Sequence, residues 1–178
     1  VELPNSGRDR MMAVDISGSM RIEDMQIGQS LVPRVDAVRQ VGAQFISQRS
    51  GDRLGLILFG TNAYVQSPLS FDTATVQRFL SEAQIGFAGE DTAIGDAIGL
   101  AVKRLKERPA ESRVLTLLTD GQDTASSVKP LDAAKLAATR STFAQLQKTG
   151  SPATWMEASD LGTATGTDRY LGGIRFPQ

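Results

Sequence analysis

Three apolar runs constrain how this chain can fold, because none of them alternates. They are Met11-Met12-Ala13-Val14, Leu54-Gly55-Leu56-Ile57-Leu58-Phe59 and Val114-Leu115-Thr116-Leu117-Leu118. A strand with one face in water alternates apolar and polar residues, so unbroken runs of this length are strands buried on both faces, as in a parallel sheet covered by helices. The intervening segments supply such helices. Val35, Val38, Val41, Phe45 and Ile46 recur at steps of three and four within 34–48, and Gly51 is expected to end that helix. Val76, Phe79, Leu80 and Ala83 do the same within 73–84, and Ile94, Ala97, Ile98, Ala101, Val102 and Leu105 form the most regular stripe, closed by Pro109. Gly60-Thr61-Asn62 is a tight connection into 63–69, a short, more polar run with Pro68 near its end, which suits an antiparallel edge strand. The order of elements predicts an α/β fold: a doubly wound, mainly parallel sheet with one antiparallel edge strand and helices on both faces.

In such sheets ligands sit beyond the carboxyl ends of the strands, at the point where the strand order reverses. Asp15 ends the first strand and Asp120, in Leu-Thr-Asp-Gly, ends the run from Arg113. Asp15 opens the pattern Asp15-Ile-Ser17-Gly-Ser19, in which small polar side chains at every second position can point at one spot, with Gly18 permitting the bend. One carboxylate and two hydroxyls form an all-oxygen set that suits a hard cation such as Mg2+. Asp120 is the other candidate by position, and Thr92 stands ahead of the regular helix. Each has an ordinary structural explanation: Asp91 or Thr92 could act as the helix N-cap, and Asp-Gly is a common turn.

The five positions together resemble the metal-ion-dependent adhesion site of von Willebrand factor type A (VWA) domains, in which Asp-x-Ser-x-Ser is joined by a distant Thr and Asp. The resemblance covers residues 8 to about 138. Its wording, Val-Asp-Ile-Ser-Gly-Ser-Met, Gly-Asp-Arg-Leu-Gly-Leu-Ile-Leu-Phe-Gly-Thr and Asp-Thr-Ala-Ile-Gly-Asp-Ala-Ile-Gly-Leu-Ala, is most similar to the bacterial BatA-like branch. The resemblance implies that Asp15, Ser17, Ser19, Thr92 and Asp120 hold one divalent cation, Mg2+ or alternatively Mn2+ or Ca2+. It further implies that an Asp or Glu of a partner protein completes the coordination. For the BatA-like branch it implies a bacterial membrane-associated assembly, with a MoxR-type AAA+ ATPase or other VWA proteins as partners. Membrane segments would then lie outside this domain, and the side of the membrane is left open.

Composition narrows the alternatives. With 19 basic and 20 acidic residues and no long run of either sign, nothing favours nucleic acid as a partner. The absence of histidine and cysteine removes the commonest general base, thiolate chemistry and zinc-cysteine sites, while leaving the compartment open. No apolar run is long enough to cross a bilayer, and a start at Val1 without an apolar leader suggests an excised fragment. An Mg2+-dependent aspartyl-phosphate phosphohydrolase also uses an Asp after a buried strand, but it needs an acid/base carboxylate two residues later, where this chain has Ser17. The other alternative is a structural domain with a vestigial metal site.

The remaining segments are less informative. Residues 1–8, with Pro4 and Gly7, are expected to be a linker, residues 9–158 the VWA domain, and residues 159–178 an irregular segment atypical of the family. The stretch 20–33 is expected to be an irregular loop opening beside the metal site. Glu23 and Asp24 in it, with Asp91, are candidates for a partner-binding rim, against the plainer reading of solvated loop charges. Residues 131–148 have helical composition, and Ala153-Thr-Trp-Met-Glu157 is the best remaining strand candidate.

Overall fold

The computed structural model describes residues 7–109, 112–139, 170–171 and 174–175. Strand β1 (Asp9–Asp15) is followed by a short 3-10 turn at Gly18–Arg21, the antiparallel pair β2 (Met25–Ile27) and β3 (Ser30–Val32), and helix α1 (Arg34–Ser47). Strands β4 (Arg53–Phe59) and β5 (Ala63–Ser70) come next, then helices α2 (Thr73–Glu82) and α3 (Ile94–Leu105), strand β6 (Arg113–Leu118) and helix α4 (Pro130–Thr139). A final antiparallel pair joins β7 (Tyr170–Leu171) to β8 (Ile174–Arg175).

The main sheet has the order β5-β4-β1-β6. Strand β1 pairs in parallel with β4 on one edge, from Asp9↔Arg53 to Asp15↔Phe59, and with β6 on the other, from Asp9↔Arg113 to Val14↔Leu118. Strand β5 is antiparallel to β4, as its polar, proline-bearing sequence predicts, and the register shifts twice near Leu56.

Alternate residues of the central strands enter different layers, which is why those strands read as continuous apolar runs. Met12, Val14, Leu54, Leu56 and Leu58 pack with Val35, Val38, Phe45 and Ile46 of α1 and with Val76 and Leu80 of α2. Met11, Ala13, Ile57 and Phe59 pack with the α3 stripe and with Ala133 of α4. The doubly wound arrangement therefore matches the expected fold class.

Two boundaries differ from expectation. Helix α1 ends at Ser47, with the N–H of Gln48 bonded back to the carbonyl of Gln44, and Gly51 (φ 92°) instead takes the left-handed turn that leads into β4. The stretch 20–33 is not irregular: Met25 pairs with Val32 and Ile27 with Ser30 around a two-residue turn at Gly28 (φ 63°) and Gln29. Most of the expected linker, the continuation of the last helix beyond Thr139, and the strand candidate at 153–157 lie outside the described residues. No described helix is long and apolar enough to cross a membrane.

Leu56 is fully buried between layers, whereas Leu31 on the β2–β3 hairpin is 66% exposed. Leu56→Ala should therefore cost about 2–5 kcal/mol in urea denaturation through lost burial and a residual cavity, while Leu31→Ala should stay within about 0.5 kcal/mol of the parent.

Candidate functional site

Parallel pairing brings the carboxyl ends of β1, β4 and β6 to one edge of the sheet. Asp15 is the last residue of β1, and its carboxylate accepts the backbone N–H of Ser17 through Oδ1 (2.9 Å) and the hydroxyl of Thr119 through Oδ2 (2.6 Å). The chain then tightens into the 3-10 turn. The hydroxyls of Ser17 and Ser19 lie 3.2 Å apart, and Ser19 donates to Oδ1 of Asp120 at 3.0 Å. From the other side Thr92 donates its hydroxyl to Ser17 Oγ at 3.1 Å. The five sequence-predicted residues thus form one hydrogen-bonded cluster. Asp15, Ser17, Thr92 and Asp120 are buried, and Ser19 is half-buried.

Thr92 can face Ser17 because it does not cap α3. The N-cap position is Ala93, and the cap is supplied from a distance: Asp123 Oδ1 accepts the N–H of Ile94 (2.9 Å), and Ser126 Oγ accepts that of Gly95 (2.7 Å). The loop after β6 packs so closely here that a Cβ on Gly95 would lie 1.8 Å from the carbonyl oxygen of Val128. Thr124 completes the clasp, accepting the N–H of Thr92 at 2.9 Å and returning its own N–H to the Thr92 carbonyl at 2.8 Å. This corrects the expectation that Asp91 or Thr92 caps the helix.

The rim candidates separate. Glu23 is exposed, and Asp91 is an exposed residue whose N–H donates to Thr61 Oγ1 at 3.1 Å. Asp24 turns inward, accepting Nε of Arg34 at 2.7 Å and also its Nη2. Arg34, the first residue of α1, is buried and reaches Asp120 Oδ2 through Nη1. Sequence reading passed over Arg34. The available signal was its place on the same stripe as Val38, where an arginine needs a buried partner. Thr119 was likewise missed, as was Glu90, whose carbonyl accepts the N–H of Gly18 (2.9 Å) while its carboxylate grips Arg21 on the surface.

The electrostatics of the two carboxylates differ. Asp120 is neutralised by Arg34, whereas among the described residues no basic group pairs with Asp15. Burial pushes the Asp15 pKa from 3.8 to about 6; the bonds from Ser17 and Thr119 lower it, and the charge of Asp120 adds to the rise. Two carboxylates and three hydroxyls make a donor set of hard oxygens. Among the described residues there is no cluster of three or more His, Cys, Asp or Glu, so hydroxyls must carry much of any coordination here.

The domain description "von Willebrand factor type A domain" matches residues 10–122. The chain belongs to the von Willebrand factor type A family. Its VWA domain is of the BatA/BatB type by its structural neighbours. BatB of Bacteroides thetaiotaomicron is 27% identical, with a TM-score of 0.66 over 76% of this chain and 63% of that one. A membrane-spanning protein of Vibrio fischeri is 48% identical, with a TM-score of 0.55 over 75% of this chain and 66% of that one. An uncharacterized protein of Borreliella burgdorferi is 31% identical over 117 residues, which is 66% of this chain but only 33% of that protein. The matched stretch is thus a third of that relative's length.

The raised Asp15 pKa has a sign that can be checked. Its protonated form is favoured by folding, so the metal-free protein should carry a contribution that is fully present below about pH 4 and lost as pH rises through about 6. Asp15→Asn removes that contribution. In chelator, stability of the parent minus that of the variant should fall by about 2–3 kcal/mol between pH 4 and pH 7, measured by denaturant titration. A pH-independent difference would show that Asp15 does not titrate as a buried acid.

Proposed function

We propose that this VWA domain recognises partner proteins through a divalent cation held by Asp15, Ser17, Ser19, Thr92 and Asp120. The observation that carries the reading is the buried Asp15 carboxylate, which among the described residues has no basic partner and lies within a cluster of four other oxygen-bearing side chains. A buried carboxylate without a countercharge is costly, and a hard cation is the countercharge that an all-oxygen set accommodates. Mg2+ is our choice, with Mn2+ or Ca2+ able to substitute. When bound, it supplies a Lewis-acid position that an incoming Asp or Glu carboxylate can take.

The chain's own residues set up that position. Thr119 and the Ser17 N–H orient Asp15, Thr92 orients Ser17, and Arg34 orients Asp120. The half-buried Ser19 stands where the cluster meets solvent, with exposed Glu23 and Asp91 as rim residues. The likeness to BatB and to a membrane-spanning protein supports a place in a bacterial membrane-associated assembly, and a MoxR-type AAA+ ATPase or another VWA protein is the partner that the BatA-like resemblance of the sequence implies. VWA domains are typically interaction modules, and recognition without catalysis is the role we assign.

Millimolar Mg2+ should raise the melting temperature, since a ligand bound only by the folded state stabilises it by about 2.7 kcal/mol at a hundredfold excess over Kd. Asp15→Ala should abolish the shift while leaving the fold intact. Thr92→Ala should reduce it, and Asp120→Ala should reduce it further because a charge is lost. Differential scanning fluorimetry with and without EDTA reads all of these. An Mg2+ response equal in parent and Asp15→Ala would remove the basis of the assignment.

A further inference from the structure

Resting on the metal-site reading, we propose that Arg34 is a specificity-determining residue of the site. Its charge weakens the hold on the resident cation and strengthens the hold on an incoming carboxylate. Arg34 is built into the site from both ends. Its backbone N–H donates to the carbonyl of Ile22 (3.0 Å), and its guanidinium spans Asp24 on one side and Asp120 on the other. The Arg34 side chain is 3% exposed.

The two acidic partners are not equivalent. The Asp120 side chain is 0% exposed and that of Asp24 is 39% exposed. Water screens Asp24, so the field of Arg34 is offset only in part on that side and acts with greater strength on the buried side. Asp15 and Asp120 would balance a divalent cation, leaving a neutral set. With Arg34 in contact with Asp120, the buried set carries one net positive charge instead, and a carboxylate entering from a partner neutralises it. Arg34 also occupies Oδ2 of Asp120, while Ser19 takes Oδ1, so it orients the aspartate as well as offsetting its charge. Arg34 is a positioning residue in this sense: it acts on the cation and on the partner through Asp120.

Electrostatics then predicts effects of opposite sign, which a purely structural role would not produce. Arg34→Met removes the positive charge. Mn2+ should bind about tenfold more tightly to this variant, and acetate should bind the Mn2+-loaded protein about tenfold more weakly. Asp24→Asn removes the acid that partly offsets Arg34, so Mn2+ should bind several-fold more weakly and acetate several-fold more tightly. Arg34→Lys keeps the charge but loses the fork that spans Asp24 and Asp120, so both affinities should fall between those of the parent and of Arg34→Met.

Mn2+ affinity can be read by electron paramagnetic resonance of the free ion, and acetate by the loss of water-proton relaxation as it displaces water from bound Mn2+. Opposite shifts for Arg34→Met and Asp24→Asn support the proposal. Shifts of the same sign, or none above twofold, overturn it. If removing Arg34 prevents folding, Asp24→Asn and Arg34→Lys still decide the matter. A parent whose Mn2+ affinity is unchanged by Asp15→Ala would overturn the metal site itself, an outcome distinct from failure of the Arg34 proposal alone.

Discussion

Strand β1 is bonded on both edges by parallel neighbours and covered on both faces by helices, so its carboxyl end is among the most constrained points in the molecule. Asp15 sits at that end, and its burial follows from the pairing rather than from any local preference of an aspartate. The same constraint fixes where the chain goes next. The N–H of Ile16 bonds to the Phe59 carbonyl (2.8 Å), its carbonyl accepts from Gly86 (2.8 Å), and the 3-10 turn that follows carries Ser17 and Ser19 back over the strand end. A site with this geometry requires a rigid sheet beneath it and loops drawn in from three other connections.

Charge is organised around that burial. Asp15 is surrounded by hydroxyls and a backbone N–H, whereas Asp120 is joined to a guanidinium that in turn holds Asp24 at the base of the β2–β3 hairpin. Removing one member of a buried pair leaves an uncompensated charge, so the Arg34–Asp120 contact ties hairpin, helix α1 and strand β6 to one another as well as to the site. The exposed Arg21–Glu90 pair at the surface is worth far less, because solvent screens it.

Much of this was legible in the sequence wherever the information is local. Non-alternating runs announced strands covered on both faces, and the Asp15-Ser17-Ser19 spacing announced converging oxygens. Asp120 was recognisable at the carboxyl end of a buried run, whereas Thr92 stood out only through the resemblance to the VWA metal site. What could not be read was information held in distant pairings: Arg34 with Asp120 is 86 residues apart, Thr119 with Asp15 is 104, and the cap of α3 by Asp123 is 29. The hairpin at 25–32 was missed for a different reason. Its strands are three residues each, too short to display a period, and the only cue was Gly28 at a two-residue turn.

The central claim is that these oxygens hold one divalent cation beside Asp15. Anomalous diffraction from crystals soaked in Mn2+ tests it most directly, because manganese locates itself without reference to protein geometry. The account predicts a single strong anomalous peak in coordinating distance of Asp15 and of at least one of Ser17 and Ser19, absent from crystals of the Asp15→Ala variant. A peak elsewhere on the protein, or none at saturating Mn2+, would contradict it.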